Sequence, residues 1–251
     1  MKLSEHDLRE KKRAVQGVVE AARALTKSFL GGERNALRLD KMFRKIRSYA
    51  TGLVRGFDES IPLMPLKQQA PMTKACRAGC AYCCHQVVGA SIPEVLWLGE
   101  YVRTHWTEEQ KQRLRERIAL YRKERIPFQD KESFRNRMPC PFLIDNCCSI
   151  YEVRPLVCQQ FHSVDLQACL KFYNEPSDSP NIPCRPGENM LLELLMLGVR
   201  KEMHDAGMDI SLVELGLAIE TVLDHPEALD QYFAGKEDLF ANVKTVVPPM
   251  E

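Results

Sequence analysis

Cys76, Cys80, Cys83 and Cys84 place four thiols within nine residues, in the run Cys76-Arg-Ala-Gly-Cys80-Ala-Tyr-Cys83-Cys84. Unligated thiolates at that spacing repel one another and invite oxidation, whereas a bound cation draws them together and lowers their pKa. Gly79 suits the turn between them, because a residue without Cβ takes positive φ and lets backbone amides point at sulfur. A second block supplies Cys140, then Cys147-Cys148-Ser-Ile-Tyr-Glu-Val-Arg-Pro-Leu-Val-Cys158, and finally Cys169. Separate stretches converging on one centre is how a metal organises an irregular region.

Compartment decides how the ten cysteines are read. The first residues, MKLSEHDLREKKR, are charged and lack the apolar stretch of about 7–15 residues of a secretory signal. No run approaches the roughly 20 apolar residues that span a bilayer. The expectation is a cytoplasmic protein without a membrane segment, in which clustered thiols serve metal binding or redox chemistry rather than disulfides. Paired zinc knuckles show two short CxxC hooks, and here Cys80 to Cys83 is the single clear one. That spacing tilts the choice toward an iron–sulfur cluster over Zn2+.

Neighbouring residues offer tuning. Arg154 is placed to offset the charge of ligating thiolates, Pro155 to stiffen the turn that presents Cys158, and Tyr151 to donate to sulfur or pack in the core. His85 and His162 adjoin candidate ligands, and ordinary positioning or surface roles are the expectation for both.

The elements that hold these residues read as helices. Leu8, Val15, Val18, Val19, Ala22, Leu25 and Phe29 recur at helical spacing and stop at Gly31-Gly32; Leu39, Met42, Phe43, Ile46, Ala50, Leu53 and Phe57 form a second stripe. The two predict an antiparallel hairpin. Residues 58–75 hold Pro62, Pro65 and Pro71 and read as a linker. Ser91-Ile92-Pro93-Glu94 reads as a helix start, and Thr107 to Gln110 as a capping box opening a helix to about Lys123. Order weakens beyond it. After a proline- and cysteine-dense region between Met138 and Pro186, Met190–Met203 predicts a buried helix, and Asp209 or Ser211 caps a second through Leu212, Leu215, Ile219, Val222 and Leu223.

Charge is uneven although it sums to +1. Lys2 to Arg55 carries fourteen Lys/Arg against six Asp/Glu, and Glu188 to Glu251 carries thirteen Asp/Glu against four Lys/Arg. Unlike fields favour docking of such segments, and solvated faces are the simpler reading. No specific nucleic-acid reader is expected from this balance. No P-loop, protease arrangement or paired catalytic carboxylate stands out.

CRAGCAYCC, with CPFL and CSIYEVRPLVC, resembles the signatures of the YkgJ-type CxxCxxCC cysteine-cluster family, a zinc- or iron-chelating domain. The resemblance implies metal ligation by Cys76, Cys80, Cys83, Cys84, Cys140, Cys148, Cys158 and Cys169, with Cys147 and Cys184 as spare thiols. Gln159 stands where the family often has Arg, and Cys169 comes late. The expected fold is mainly α: a helical scaffold around an irregular, metal-stapled cysteine-rich core. Its parts are an N-terminal hairpin (1–58), a cysteine-cluster region (59–186) and C-terminal helices packing on it (187–251). The expected function is a metal centre, structural or redox. Two alternatives stand beside it. One is an iron–sulfur enzyme, because Cys76, Cys80 and Cys83 also resemble the three-cysteine motif of radical S-adenosylmethionine enzymes and flagellin lysine N-methylases carry a related cluster. The other is a metal-stapled adaptor whose basic hairpin binds an acidic protein partner.

Overall fold

α1 (Glu5–Leu30) ends at the Gly31-Gly32 stop, where the Gly31 amide donates to the Lys27 carbonyl, and α2 (Ala36–Ser60) follows. This computed structural model describes residues 5–60, 73–124, 138–175, 182–235 and 239–245. Most of the predicted 58–75 linker, and residues 125–137, lie outside them. The protein is mainly helical, as the periodicity predicts.

The chain divides into two compact units, residues 1–64 with 186–210 and residues 65–185 with 211–251. In the first, α1 and α2 pack on each other and on α7 (Pro186–Asp205). The apolar stripe does this work: Ala22, Phe29, Leu39, Phe43 and Ile46 are buried, joined by Leu195, Val199 and Met203 from α7. Gly198 permits the close approach, since a Cβ there would lie 2.5 Å from the Val19 carbonyl oxygen. Arg23 on α1 donates to Glu202 (3.0 Å) and Asp205 (2.7 Å) on α7, so unlike charges meet at the edge of this bundle.

The second unit holds the cysteines. β1 (Gly89–Ser91) feeds directly into α3 (Ile92–His105), and β4 (Leu212–Glu214) feeds directly into α8 (Leu215–Asp224). β1 and β4 pair antiparallel, Gly89 opposite Glu214 and Ser91 opposite Leu212, while α3 packs on α8 and α4 (Glu108–Glu124) flanks α8. Leu96, Trp97, Leu98, Leu114, Ile118 and Ile219 form the core. The Thr107–Gln110 capping box is formed reciprocally, at 2.9 and 3.2 Å.

The start of α8 differs from the sequence expectation. Leu212 to Glu214 are strand, and the cap is Glu214, whose carboxylate accepts from the Gly216 and Leu217 amides and from the Tyr121 hydroxyl at 2.8 Å. Pairing with β1 takes up the backbone groups that a helix begun at Asp209 or Ser211 would have used.

Gly99 sits where α3 meets α8, and a Cβ there would overlap Val222, itself 1% exposed. Gly99→Ala therefore forces the helices apart and is expected to cost about 1–3 kcal/mol. A lowered urea midpoint at unchanged slope checks this; an unchanged midpoint would mean the interface yields without cost.

Candidate metal centre

The first cysteine block is a turn followed by one turn of 3-10 helix. Gly79 has φ +82°, and the Cys80 amide donates back to the Arg77 carbonyl at 3.0 Å, closing the loop that the glycine makes possible. Tyr82–His85 then forms the 3-10 turn carrying Cys83 and Cys84.

A backbone bond ties in the second block: the Cys140 amide donates to the Cys84 carbonyl at 2.7 Å. β2 (Leu143–Ile144) and β3 (Cys147–Cys148) follow as a tight hairpin, turned by Asp145 (φ 49°) and Asn146 (φ 59°). Positive φ at both central residues is the two-residue turn that matches strand twist, and Asp and Asn tolerate it best after glycine. Successive strand residues face opposite ways, so Cys148 is half-buried and Cys147 exposed. Cys158 is carried on α5 (Leu156–Gln160), anchored by the Leu156 amide donating to the buried Glu94 carboxylate at 2.8 Å.

Cys76 and Cys169 are brought together by Ser163. The Ser163 amide donates to Cys76 Sγ at 3.3 Å, and the Ala75 amide donates to the Ser163 carbonyl at 2.8 Å. Two residues on, Asp165 caps α6 (Leu166–Asn174), which bears Cys169. The Cys169 thiol is pushed up by burial, against a hydrogen bond with Ser163, and further up by Cys76, Cys80 and Cys83.

These interactions group the eight predicted cysteines. Cys76, Cys80, Cys83 and Cys169 act on one another at the more open side. Cys140, Cys148 and Cys158 act on one another, with Cys140 tied by its backbone to Cys84. Cys83 stands between: its thiol is pushed up by its hydrogen bond with Cys84, then by burial and the Cys84 charge, and it acts on Cys158 as well. Cys184 is half-buried on the stretch beside Pro183, whose carbonyl accepts from Val164 and Ser163.

Four sulfurs have backbone hydrogen bonds that favour their anions: Cys76 at Ser163, Cys80 at Tyr82 and Arg77, Cys83 at its own amide and Cys140 at Phe142. Such bonds favour thiolate over thiol, and so oppose the burial that pushes Cys80 and Cys140 upward. Positive charge adds to them. Arg154 lowers both Cys83 and Cys158, as its position in the sequence suggests, and stacks over the Tyr151 ring at 4.3 Å. Tyr151 is itself 60% exposed. Arg117 interacts with Cys140 and donates to the Pro141 carbonyl at 2.6 Å. Sequence reasoning missed Arg117, which lies mid-helix with no spacing signal, and missed Ser163 and Glu94 as anchors.

The histidines are engaged locally. His162 Nε2 accepts from the Arg185 amide at 3.0 Å, and His85 Nδ1 donates to the Ala81 carbonyl at 3.0 Å. Among the described residues, no three His, Cys, Asp or Glu side chains are arranged tightly enough to hold a metal ion. The thiols are thus gathered, and the structure does not show a metal-stapled core.

Burial sets a pH dependence in metal-free protein. Cys140 and Cys158 are pushed above the ordinary thiol value of 9.0 chiefly by burial, so the fold prefers them neutral. Groups raised on folding contribute stability below the unfolded value and lose it as pH climbs through the folded value. Metal-free protein is expected to lose stability as pH rises past 9.0, whereas metal-loaded protein, its thiols already deprotonated, weakens toward acid. Urea midpoints at about pH 7.5 and about pH 10, with and without chelator, check the crossing of the two trends.

Residues 75–179 match the model of the CxxCxxCC family, described as "Putative zinc- or iron-chelating domain". The match takes in all eight predicted ligands and Cys147, and stops short of Cys184. Comparison with curated proteins and with solved structures finds no match. No helix among the described residues is long and apolar enough to cross a membrane.

Proposed function

We propose that this protein binds iron or zinc through two adjoining thiolate groups, an inner one of Cys84, Cys140, Cys148 and Cys158 and an outer one of Cys76, Cys80, Cys83 and Cys169. The observation that carries the reading is the set of backbone hydrogen bonds that favour the anions of the part-buried Cys80, Cys83 and Cys140. An inert buried cysteine has no use for a donor that favours its anion, whereas a metal ligand does. Arg154 and Arg117 offset the negative charge that thiolates retain after binding a divalent ion or cluster.

The two groups suit different roles. Burial is the chief cause that pushes up the inner thiols Cys140 and Cys158, a setting fit for a structural ion. The outer group includes the exposed Cys76, so its metal is open to ligand or electron exchange. We favour an iron–sulfur cluster there, because the run from Cys76 to Cys84 offers one CxxC hook only.

Protein purified without oxygen, then assayed for zinc, iron and acid-labile sulfide per chain, tests this. Bound metal is expected, retained in full in Cys147→Ser and Cys184→Ser, with the outer-group metal lost from Cys80→Ser. A folded, metal-free chain that takes up neither added Zn2+ nor Fe2+ would overturn it.

A second reading, an adaptor for an acidic protein, draws on the first unit. Arg38, Lys41 and Lys45 converge around a cavity of about 130 Å3 between α1 and α2. Salt-sensitive capture of an acidic peptide by wild type, lost on reversing Lys41 and Lys45 together, would favour it.

A further inference from the structure

A cleft of about 360 Å3 opens beside the first cysteine turn. Backbone of the Arg77–Cys80 turn forms one side of it, and Gly79, with φ +82°, has open space where a side chain would project. Tyr82 and His85 from the 3-10 turn and Tyr173 from α6 line another side. The aromatic rings support one another: Tyr82 and Tyr173 are 5.4 Å apart between centroids, and His85 meets Tyr173 edge-on at 5.0 Å. Asn146, from the tip of the β2–β3 hairpin, adds an amide.

The chemistry of this lining selects its occupant. Arg77 is the charged side chain of the lining, exposed and cationic, so an anion is favoured. Tyr82, Tyr173 and His85 present π-surface, which takes a planar ring by stacking or edge contact. His85 donates its Nδ1 proton to the Ala81 carbonyl, which fixes the ring in the wall. The volume lies at the lower end of small-molecule sites, roughly 300–1,000 Å3. One feature stands apart from the turn that presents Cys80: a three-ring wall contributed by two elements far apart in sequence.

We propose that this cleft binds a small aromatic anion, a planar ring bearing a phosphate or carboxylate and no larger than a mononucleotide. Arg77 takes the anion and the Tyr82–Tyr173–His85 wall takes the ring. The inference rests on the metal reading in one respect: Cys80, which lines the cleft, would be an outer-group ligand there.

Calorimetric titration of full-length, anaerobically purified protein tests this, with metal content measured on every sample. Adenosine 5′-monophosphate and 4-hydroxybenzoate are the phosphate and carboxylate probes; adenosine supplies the ring alone and ribose 5-phosphate the anion alone. At least one aromatic anion is expected to bind about tenfold or more tightly than either partial probe, a difference set by the charge-assisted bond and the ring contact together. Arg77→Gln is expected to weaken it about tenfold and remove its advantage over adenosine, and Tyr173→Ala to remove its advantage over ribose 5-phosphate, both at unchanged metal content. Absence of binding by both probes to metal-loaded protein, or binding by both variants as tight as that of wild type, would overturn the cleft proposal while leaving the metal reading intact. Tight binding by protein that holds no metal and takes up neither added Zn2+ nor Fe2+ would uphold the cleft and overturn the metal reading instead.

Discussion

Cys83→Ser is expected to deplete both metal groups at once, because Cys83 acts on Cys80 and Cys169 on one side and on Cys84 and Cys158 on the other. Replacing a group that merely positions a ligand costs metal affinity about 10–100-fold, and removing a buried ligand costs more, so a loss beyond about 100-fold is expected. The hydroxyl left behind is a weaker ligand for soft metals and does not ionise near neutral pH. Cys169→Ser makes the comparison informative. Cys169 acts with Cys76, Cys80 and Cys83 of the outer group, so its loss should spare the inner metal. Metal per chain and chelator release kinetics on anaerobic samples measure this. Equal depletion in the two variants would show that the eight thiols serve one centre, and full retention in Cys83→Ser would remove Cys83 from the ligand set.

How far the sequence foretold this arrangement follows from the range over which each force acts. Helix period and terminal chemistry are local, so the Gly31-Gly32 stop, the Thr107–Gln110 box and the positive φ of Gly79 were all legible. Cysteine spacing was legible for a similar reason, since a hook of a few residues has few ways to fold around a cation. The partners of α7 and α8 were not, because an apolar stretch carries no mark of which neighbour covers it.

The missed anchors share a different cause. Glu94 reads in sequence as the third residue of a capped helix, and it does bond the Ser91 amide and hydroxyl, at 3.2 and 2.7 Å. Its other oxygen reaches a residue 62 positions away, which no local pattern reports. Arg117 and Ser163 are alike in this respect: each is an ordinary helical or loop residue until tertiary contact sets it beside sulfur. Strand content fell out of reach for lack of length, since β1 to β4 are two or three residues each and too short to show an alternating period.

Glu94→Ala is expected to be the most destabilising single change in the second unit and to release metal with it. Glu94 is 5% exposed and accepts from the Leu156 amide, the Ser91 amide and the Ser91 hydroxyl. Truncation leaves these buried donors without their acceptor, a loss of about 3–5 kcal/mol, or roughly 6–20 °C in Tm for a chain of this length. It also frees the first turn of α5, which carries Cys158. Glu94→Gln separates the two effects. An amide keeps one acceptor oxygen for Leu156 and places its NH2 toward Ser91, so stability falls by less than in the alanine variant. It also removes a negative charge that raises the Cys158 pKa, which makes the Cys158 thiolate easier to form. The glutamine variant is therefore expected to bind metal at least as tightly as wild type at neutral pH while melting earlier, and the alanine variant to lose on both measures. Metal affinity that simply tracks melting temperature across the three proteins would show that Glu94 acts on the centre through stability alone, and an alanine variant with wild-type stability would show that α5 is held by something other than this carboxylate.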